Sequence, residues 1–256
     1  MDRLITPAAL LLDFGGVVVT TTKRPTWSTD LAAEIHAELG RSGPPTLTVD
    51  EIRNDIEAGA VADSGWKNAM SRPAAPRELT HREFWADFVA ADWPAGPRAW
   101  VTAHATILCK RMGELRSDRR QRDGIPELLD TATAAGIPVA IVSNALSGAV
   151  HRDYLDRTGL VKQFALQIYS DEVGIRKPNP EMIWLAARAL DIEVERTWYV
   201  GDNFDRDVLC GRRAGVGAAI LMEAKGTYKR PFQVRAEPDA VVPGAHELRS
   251  LLLESL

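Results

Sequence analysis

The sequence predicts an α/β fold: a core built on a parallel sheet, interrupted after its first strand by an all-helical insert. Three observations carry this. From Asp123 onward, strand-length apolar runs alternate with helical stretches of about ten residues. A passage with helical spacing alone, from about Thr20 to Arg120, separates the first apolar run from the others. Polar residues stand where the apolar runs end. At 256 residues the chain suits one large domain or two small ones, with a substantial core.

The first strand is expected from Ala8 to Val19. Its centre, LLLDFGGVVV, carries one carboxylate, Asp13, followed by Gly15 and Gly16. Burying a carboxylate there is costly unless a cation or ligand needs it, and the two glycines let the backbone turn tightly and leave room for an approaching group. In the insert, Leu31, Ile35 and Leu39 have helical spacing, with Ser28 or Thr29 as N-cap. Gly40, Gly43, Pro44 and Pro45 are expected to end that helix. A second helix is expected over Val49–Ala58, opening at Thr48 with Glu51 in its first turn. A loop should follow to Pro76, then helices over Thr80–Ala90 and Pro97–Leu115. Trp27, Trp66, Trp85, Trp93 and Trp100 read as the core of a small helical bundle, or, for one or two of them, as the lining of a pocket.

Beyond Asp123 the expected order is a helix over Glu127–Ala135, a strand over Ile137–Val142 ending in Ser143 and Asn144, and a helix through Val150, Tyr154 and Leu155. A strand over Phe164–Tyr169 follows, then the loop SDEVGIRKPNP and a helix over Glu181–Leu190. The chain ends with a strand over Thr197–Val200 closed by Gly201 and Asp202, a helix over Asp205–Arg213, a strand over Ala218–Met222, a short run Ala240–Val242 and a last helix.

Composition excludes several classes. The net charge of −4 gives no electrostatic case for nucleic acid or an anionic membrane surface. The two cysteines, Cys109 and Cys210, form no disulfide framework or zinc motif, so a reducing cytoplasm is expected. No apolar run approaches a membrane span, and the N-terminus lacks the shape of a signal peptide. Neither GxxxxGK[ST] nor a complete GxGxxG occurs.

In open parallel sheets, ligands bind beyond the carboxyl ends of the strands. Asp13, Ser143, Asn144, Lys177 and Asp202 fall at such ends or in the loops after them. Carboxylates suit a hard cation such as Mg²⁺; hydroxyl, amide and ammonium suit phosphoryl oxygens. Taken singly, Ser143 and Asn144 also read as turn formers, Lys177 as a solvated loop charge, and Asp202 and Asp207 as cap and first-turn residues of a helix. Asp205 reads as a surface or capping residue, Arg176 as facing solvent, and Cys210 as packed.

Four motifs in order, DFGGV at Asp13–Val17, IVSNA at Ile141–Ala145, GIRKPNPEMI at Gly174–Ile183 and VGDNFDRDVLCGRRAG at Val200–Gly215, resemble those of the haloacid dehalogenase superfamily of hydrolases, in its subgroup with a helical cap after strand 1. The resemblance implies a Rossmann-like core over residues 1–19 and 121–256 and a cap over 20–120. It implies a phosphatase in which Asp13 attacks phosphorus and forms an aspartyl-phosphate on a small phosphorylated substrate. Mg²⁺ is implied between Asp13, the backbone carbonyl of Gly15 and Asp202, with Asp207 supporting the metal's water shell or Lys177. Ser143, Asn144 and Lys177 are implied to hold the phosphoryl oxygens.

The chain departs from the pattern at Gly15, where family phosphatases usually carry a second Asp that protonates the leaving group. Substrates with good leaving groups, or an acid from the insert such as Asp30, Glu34 or His36, are the two ways to remain a phosphatase. The dehalogenase branch also lacks that Asp but uses no metal and lacks the Gly-Asp of the fourth motif, so Gly201-Asp202 favours the phosphatase. A third reading keeps the fold as a phospho-ligand-binding module without turnover.

Overall fold

The structure, a computed structural model, describes residues 4–41, 43 and 46–256. Pro44 and Pro45 lie outside the described residues. The chain divides into two compact units. One comprises the chain up to Thr21 with Ser71–Glu78 and Arg119–Leu256; the other comprises Thr22–Met70 with Leu79–Asp118. Residues 71–78 lie mid-way through the insert's sequence yet belong to the first unit.

The strands are β1 (Ala9–Leu12), β2 (Val19–Lys23), β3 (Ser117–Gln121), β4 (Val139–Ser143), β5 (Leu166–Tyr169), β6 (Thr197–Gly201), β7 (Ala218–Met222) and β8 (Ala240–Val242). Six of them form a sheet in the order β5-β4-β1-β6-β7-β8, and every pair in it is parallel. Central β1 is buried on both faces, as parallel strands are. Its alternation splits two cores: Leu10 and Leu12 pack with helices Ile125–Ala134, Gly148–Thr158 and Ala245–Ser255, while Ala9 and Leu11 pack with Glu181–Ala189 and Leu209–Ala214. β2 and β3 pair as a separate two-stranded sheet.

The first strand is shorter than expected and stops at Leu12. The Asp13 N–H still reaches the Val200 carbonyl at 2.8 Å, and then the chain turns through Gly16 at φ 80°. The apolar run continues past the strand because Phe14, Val17 and Val18 pack into the core from the turn. Apolar character here reports burial rather than extension.

In the helical unit, Trp27–Gly40 begins one residue before the expected Ser28 cap. The helix opening at Val49 runs to Met70, where a loop was expected after Ala58. Thr48 and Glu51 form the expected box, with Thr48 N to Glu51 Oε2 at 2.7 Å and Glu51 N to Thr48 Oγ1 at 3.2 Å. Gly59 is no breaker: a Cβ there would lie 2.6 Å from Val89, so the glycine admits a close neighbour. That neighbour is a π-helical turn, Phe84–Val89, which continues the short helix His81–Glu83. The expected Pro97–Leu115 helix is two, Ala95–Ala103 and Ala105–Arg116, broken at His104. Trp27, Trp85 and Trp93 are core residues of this unit, and Trp66 and Trp100 are half-buried.

Candidate active site

Asp13 is the first residue beyond β1, Ser143 the last of β4, and Asp202 the first beyond β6. Because these three strands are adjacent and parallel, their carboxyl ends share one rim. Lys177 reaches it from the loop after β5 and the short helix Ser170–Val173. Its side chain is 2% exposed, and its ammonium lies 2.9 Å from Asp13 Oδ1, 2.7 Å from Asp207 Oδ1 and 2.7 Å from the Tyr199 hydroxyl. The expected solvated alternative for Lys177 is thereby removed. Burial pulls the lysine toward neutrality, but Asp13 and Asp207 outweigh it and hold its pKa above the ordinary value.

Asp13 Oδ1 also accepts the Phe14 N–H at 2.8 Å, and Ser143 donates to the same carboxylate. Burial raises the pKa of Asp13, with Lys177 opposing. Burial first, then repulsion from Asp207 and Asp13, push the pKa of Asp202 up to about 8, with Lys177 opposing. Asp13, Asp202 and Asp207 each offer an oxygen within 4.8 Å of the others. Three carboxylates thus face one ammonium, with the half-buried Arg122 guanidinium near Asp202 as a further cation, and hard oxygen donors match a small divalent ion such as Mg²⁺.

The three are not equivalent. Asp207 Oδ1 accepts from Lys177 and Tyr199, and its Oδ2 accepts the Asp202 and Asn203 N–H groups at 3.1 and 2.9 Å. Its lone pairs are committed, so it suits orienting Lys177 and the turn of Asp202 better than direct coordination. That turn is fixed by glycine: a Cβ on Gly201 would stand 2.2 Å from Asp207, and one on Gly16 would stand 2.3 Å from Asp202 Oδ2. At Gly15 an added Cβ would meet nothing within 4 Å.

Asn144 is placed differently from a substrate ligand. Its Nδ2 donates to the Lys177 carbonyl at 3.1 Å and its Oδ1 accepts the Lys177 N–H at 2.8 Å, so both ends of the amide clamp the lysine's backbone. One expectation fails: Arg176 is 1% exposed and pairs with Glu78 at 2.6 Å instead of facing solvent. Of the two readings of Asp205, surface or capping, its 2% exposure removes the first; it lies in the first turn of the π-helical stretch Phe204–Val208. In the helical unit, Glu34 is paired with Arg111 at 2.7 Å, whose hydrogen bonds lower its pKa, and Asp30 accepts from the Thr26 hydroxyl. An ion-paired carboxylate is a poor proton donor.

Sequence reasoning missed Tyr199, whose hydroxyl lies 2.9 Å from Asp207 Oδ1. The available signal was a phenol inside an otherwise apolar strand, since a buried tyrosine hydroxyl needs a partner. It also missed Arg122, which donates to the carbonyls of Gly16, Glu223 and Pro243 and so tethers the turn after Asp13.

The chain is 30% identical to the glyceraldehyde 3-phosphate phosphatase of Methanopyrus kandleri over 132 residues, 52% of the chain and 56% of the relative, so it spans little more than half of that protein's length. It is 32% identical to the pyrimidine 5'-nucleotidase YjjG of Escherichia coli over 81% of the chain and 84% of the relative. The crystal structure of a 2-haloacid dehalogenase from Pseudomonas syringae superposes with a TM-score of 0.60 over 97% of the chain and 99% of that chain, at 16% identity, a likeness of fold. The model of the haloacid dehalogenase-like hydrolases matches residues 7–215, and the chain belongs to that family.

Proposed function

We propose that the protein is a Mg²⁺-dependent phosphatase that hydrolyses the phosphoric monoester of a small metabolite through an aspartyl-phosphate on Asp13. The observation that carries this reading is the Lys177 ammonium, buried between Asp13 and Asp207 beside a third carboxylate, Asp202. The names of the relatives support it, since the matched Methanopyrus and Escherichia proteins are a phosphatase and a nucleotidase.

Phe14 N–H and Lys177 hold Asp13 Oδ1, which leaves Oδ2 to attack phosphorus. The O–P bond to Asp13 forms as the ester O–P bond breaks, and the leaving oxygen departs with the bonding pair. Water then attacks the phosphorus of the aspartyl-phosphate, giving inorganic phosphate and restoring the carboxylate. Lys177 and Ser143 hold the phosphoryl oxygens, while Asn144 holds Lys177. Asp13 and Asp202 are the residues to hold Mg²⁺, with the Gly15 carbonyl completing the protein's share and Asp207 orienting its neighbours. The ion supplies charge neutralisation for the transferring group. Gly15 offers no acid, so the leaving oxygen must be stable as an anion or take its proton from another donor.

The test is hydrolysis of p-nitrophenyl phosphate with Mg²⁺, with EDTA, and by Asp13→Asn. Turnover should require Mg²⁺ and vanish in the variant, whose circular dichroism should match wild type. Chloride release from a 2-chloro acid without metal would instead establish the dehalogenase reading. Binding of BeF₃⁻ with no hydrolysis across a phosphate panel would establish a binding module.

A further inference from the structure

The Glu78 carboxylate is 5% exposed and holds two site loops at once. Its Oε1 accepts from Arg176 Nη1 at 2.6 Å, next to Lys177. Its Oε2 accepts from the Ser170 hydroxyl at 2.5 Å, and that hydroxyl oxygen accepts the Ala145 N–H at 2.9 Å, next to Asn144. The backbone repeats the attachment: Glu78 N–H donates to the Gly174 carbonyl at 2.9 Å, and the Pro76 carbonyl accepts from Arg176 N–H at 3.3 Å and Asn179 Nδ2 at 3.4 Å. An antiparallel bridge joins Arg77 and Ile175. Residues 76–78 thus act as a splint along the loop that carries Lys177.

We propose that Glu78 is a positioning residue for catalysis, fixing the loop of Ser143–Ala145 and the loop of Gly174–Pro178 relative to one another. This rests on the site acting as proposed above. Asn144 already ties these loops at one point, through the Lys177 backbone. One point of attachment leaves a loop free to pivot; Glu78, through Ser170 and Arg176, supplies a second. Stability alone gives little reason for such a network, because a buried ion pair is often no better than a well-packed apolar pair. What a fully bonded carboxylate does supply is direction, and misplacing catalytic groups by about 1 Å can cost about a hundredfold in rate.

The test compares wild type, Glu78→Gln and Ser170→Ala. Each is measured for kcat and KM on p-nitrophenyl phosphate with Mg²⁺, for thermal midpoint, and for amide hydrogen exchange of peptides containing Ala145 and Gly174. Glu78→Gln should lower kcat at least tenfold with KM within threefold, and should speed exchange at both peptides; Ser170→Ala should do the same more weakly, at Ala145 first. Should Glu78→Gln fail to fold, the Ser170→Ala enzyme decides by the same readouts. A folded Glu78→Gln enzyme with kcat within twofold of wild type overturns the proposal, as does one that loses kcat without faster exchange at Ala145. If wild type hydrolyses no phosphate ester, the phosphatase reading fails, and exchange alone then decides whether Glu78 sets the loops.

Discussion

At the scale of single residues, Gly15 is the most informative position. Its neighbour Gly16 is confined by a positive φ and by Asp202, whereas Gly15 has open space where a side chain would begin. Gly15→Asp should therefore be tolerated. If a missing acid limits the enzyme, the variant should gain about 10²-fold or more on alkyl phosphates and little on p-nitrophenyl phosphate. Equal, unchanged rates on both esters would mean that another group already delivers the proton. Asp13, Ser143 and Asp202 were legible in the sequence because each polar group interrupts or ends an apolar run, and Lys177 because it lies in the loop after one. Arg176 and Glu78 were not, because their pairing spans 98 residues and neither flanks a strand. A charge in a loop with no visible partner reads as solvated until the fold brings the partner to it.

At the scale of elements, the strand and helix order was legible from apolar runs and their punctuation, while lengths failed where tertiary contact overrode local signals. Gly59 lets a helix continue because Val89 needs its missing Cβ, and Phe14 to Val18 read as strand because they are buried in a turn. The helix Gly148–Thr158 shows the electrical side of such packing. Gly148 N–H is held by the Asp171 carboxylate at 3.0 Å, and a Cβ at Gly148 would strike the Tyr169 ring. Three residues on, His151 stacks on Phe14 at 4.2 Å between centroids, and its Nδ1 is buried without a hydrogen bond. Burial, with Arg119 adding repulsion, depresses its pKa to about 3. Above pH 6.5 the imidazole is neutral in both folded and unfolded chains and costs nothing. Below pH 6.5 only the unfolded chain takes up the proton, so stability falls by up to about 1.4 kcal/mol per pH unit until the folded pKa is approached. Urea unfolding at pH 7 and pH 5 should show this loss in wild type and a smaller one in His151→Leu. Identical pH slopes for the two proteins would place the acid sensitivity elsewhere.

At the scale of the whole molecule, a chain of net charge −4 gathers three of its carboxylates within 4.8 Å at the sheet's rim. Folding against that repulsion is a cost that the unfolded chain, with its carboxylates dispersed, does not bear. Lys177 offsets part of it, and the raised pKa of Asp202 marks the part left over. A divalent cation that binds this cluster and not the unfolded chain must therefore stabilise the fold. At a hundredfold excess over Kd the gain is about 2.7 kcal/mol, which for a chain of this size is a rise of roughly 5–10 °C in Tm. Titration with MgCl₂ should show that rise, whereas NaCl at matched ionic strength, acting only by screening, should give less. Asp202→Asn should remove the magnesium increment and raise the Tm measured in EDTA, because it removes a carboxyl that folding forces either to take up a proton or to bear the repulsion, while keeping the shape of the side chain. This sign pattern separates a metal site from a merely acidic surface: a surface carboxylate lost to amide changes neither value by more than about 1 °C. A magnesium increment that survives in Asp202→Asn would mean that the ion binds elsewhere on the protein, and the assignment of Asp202 would fall with it.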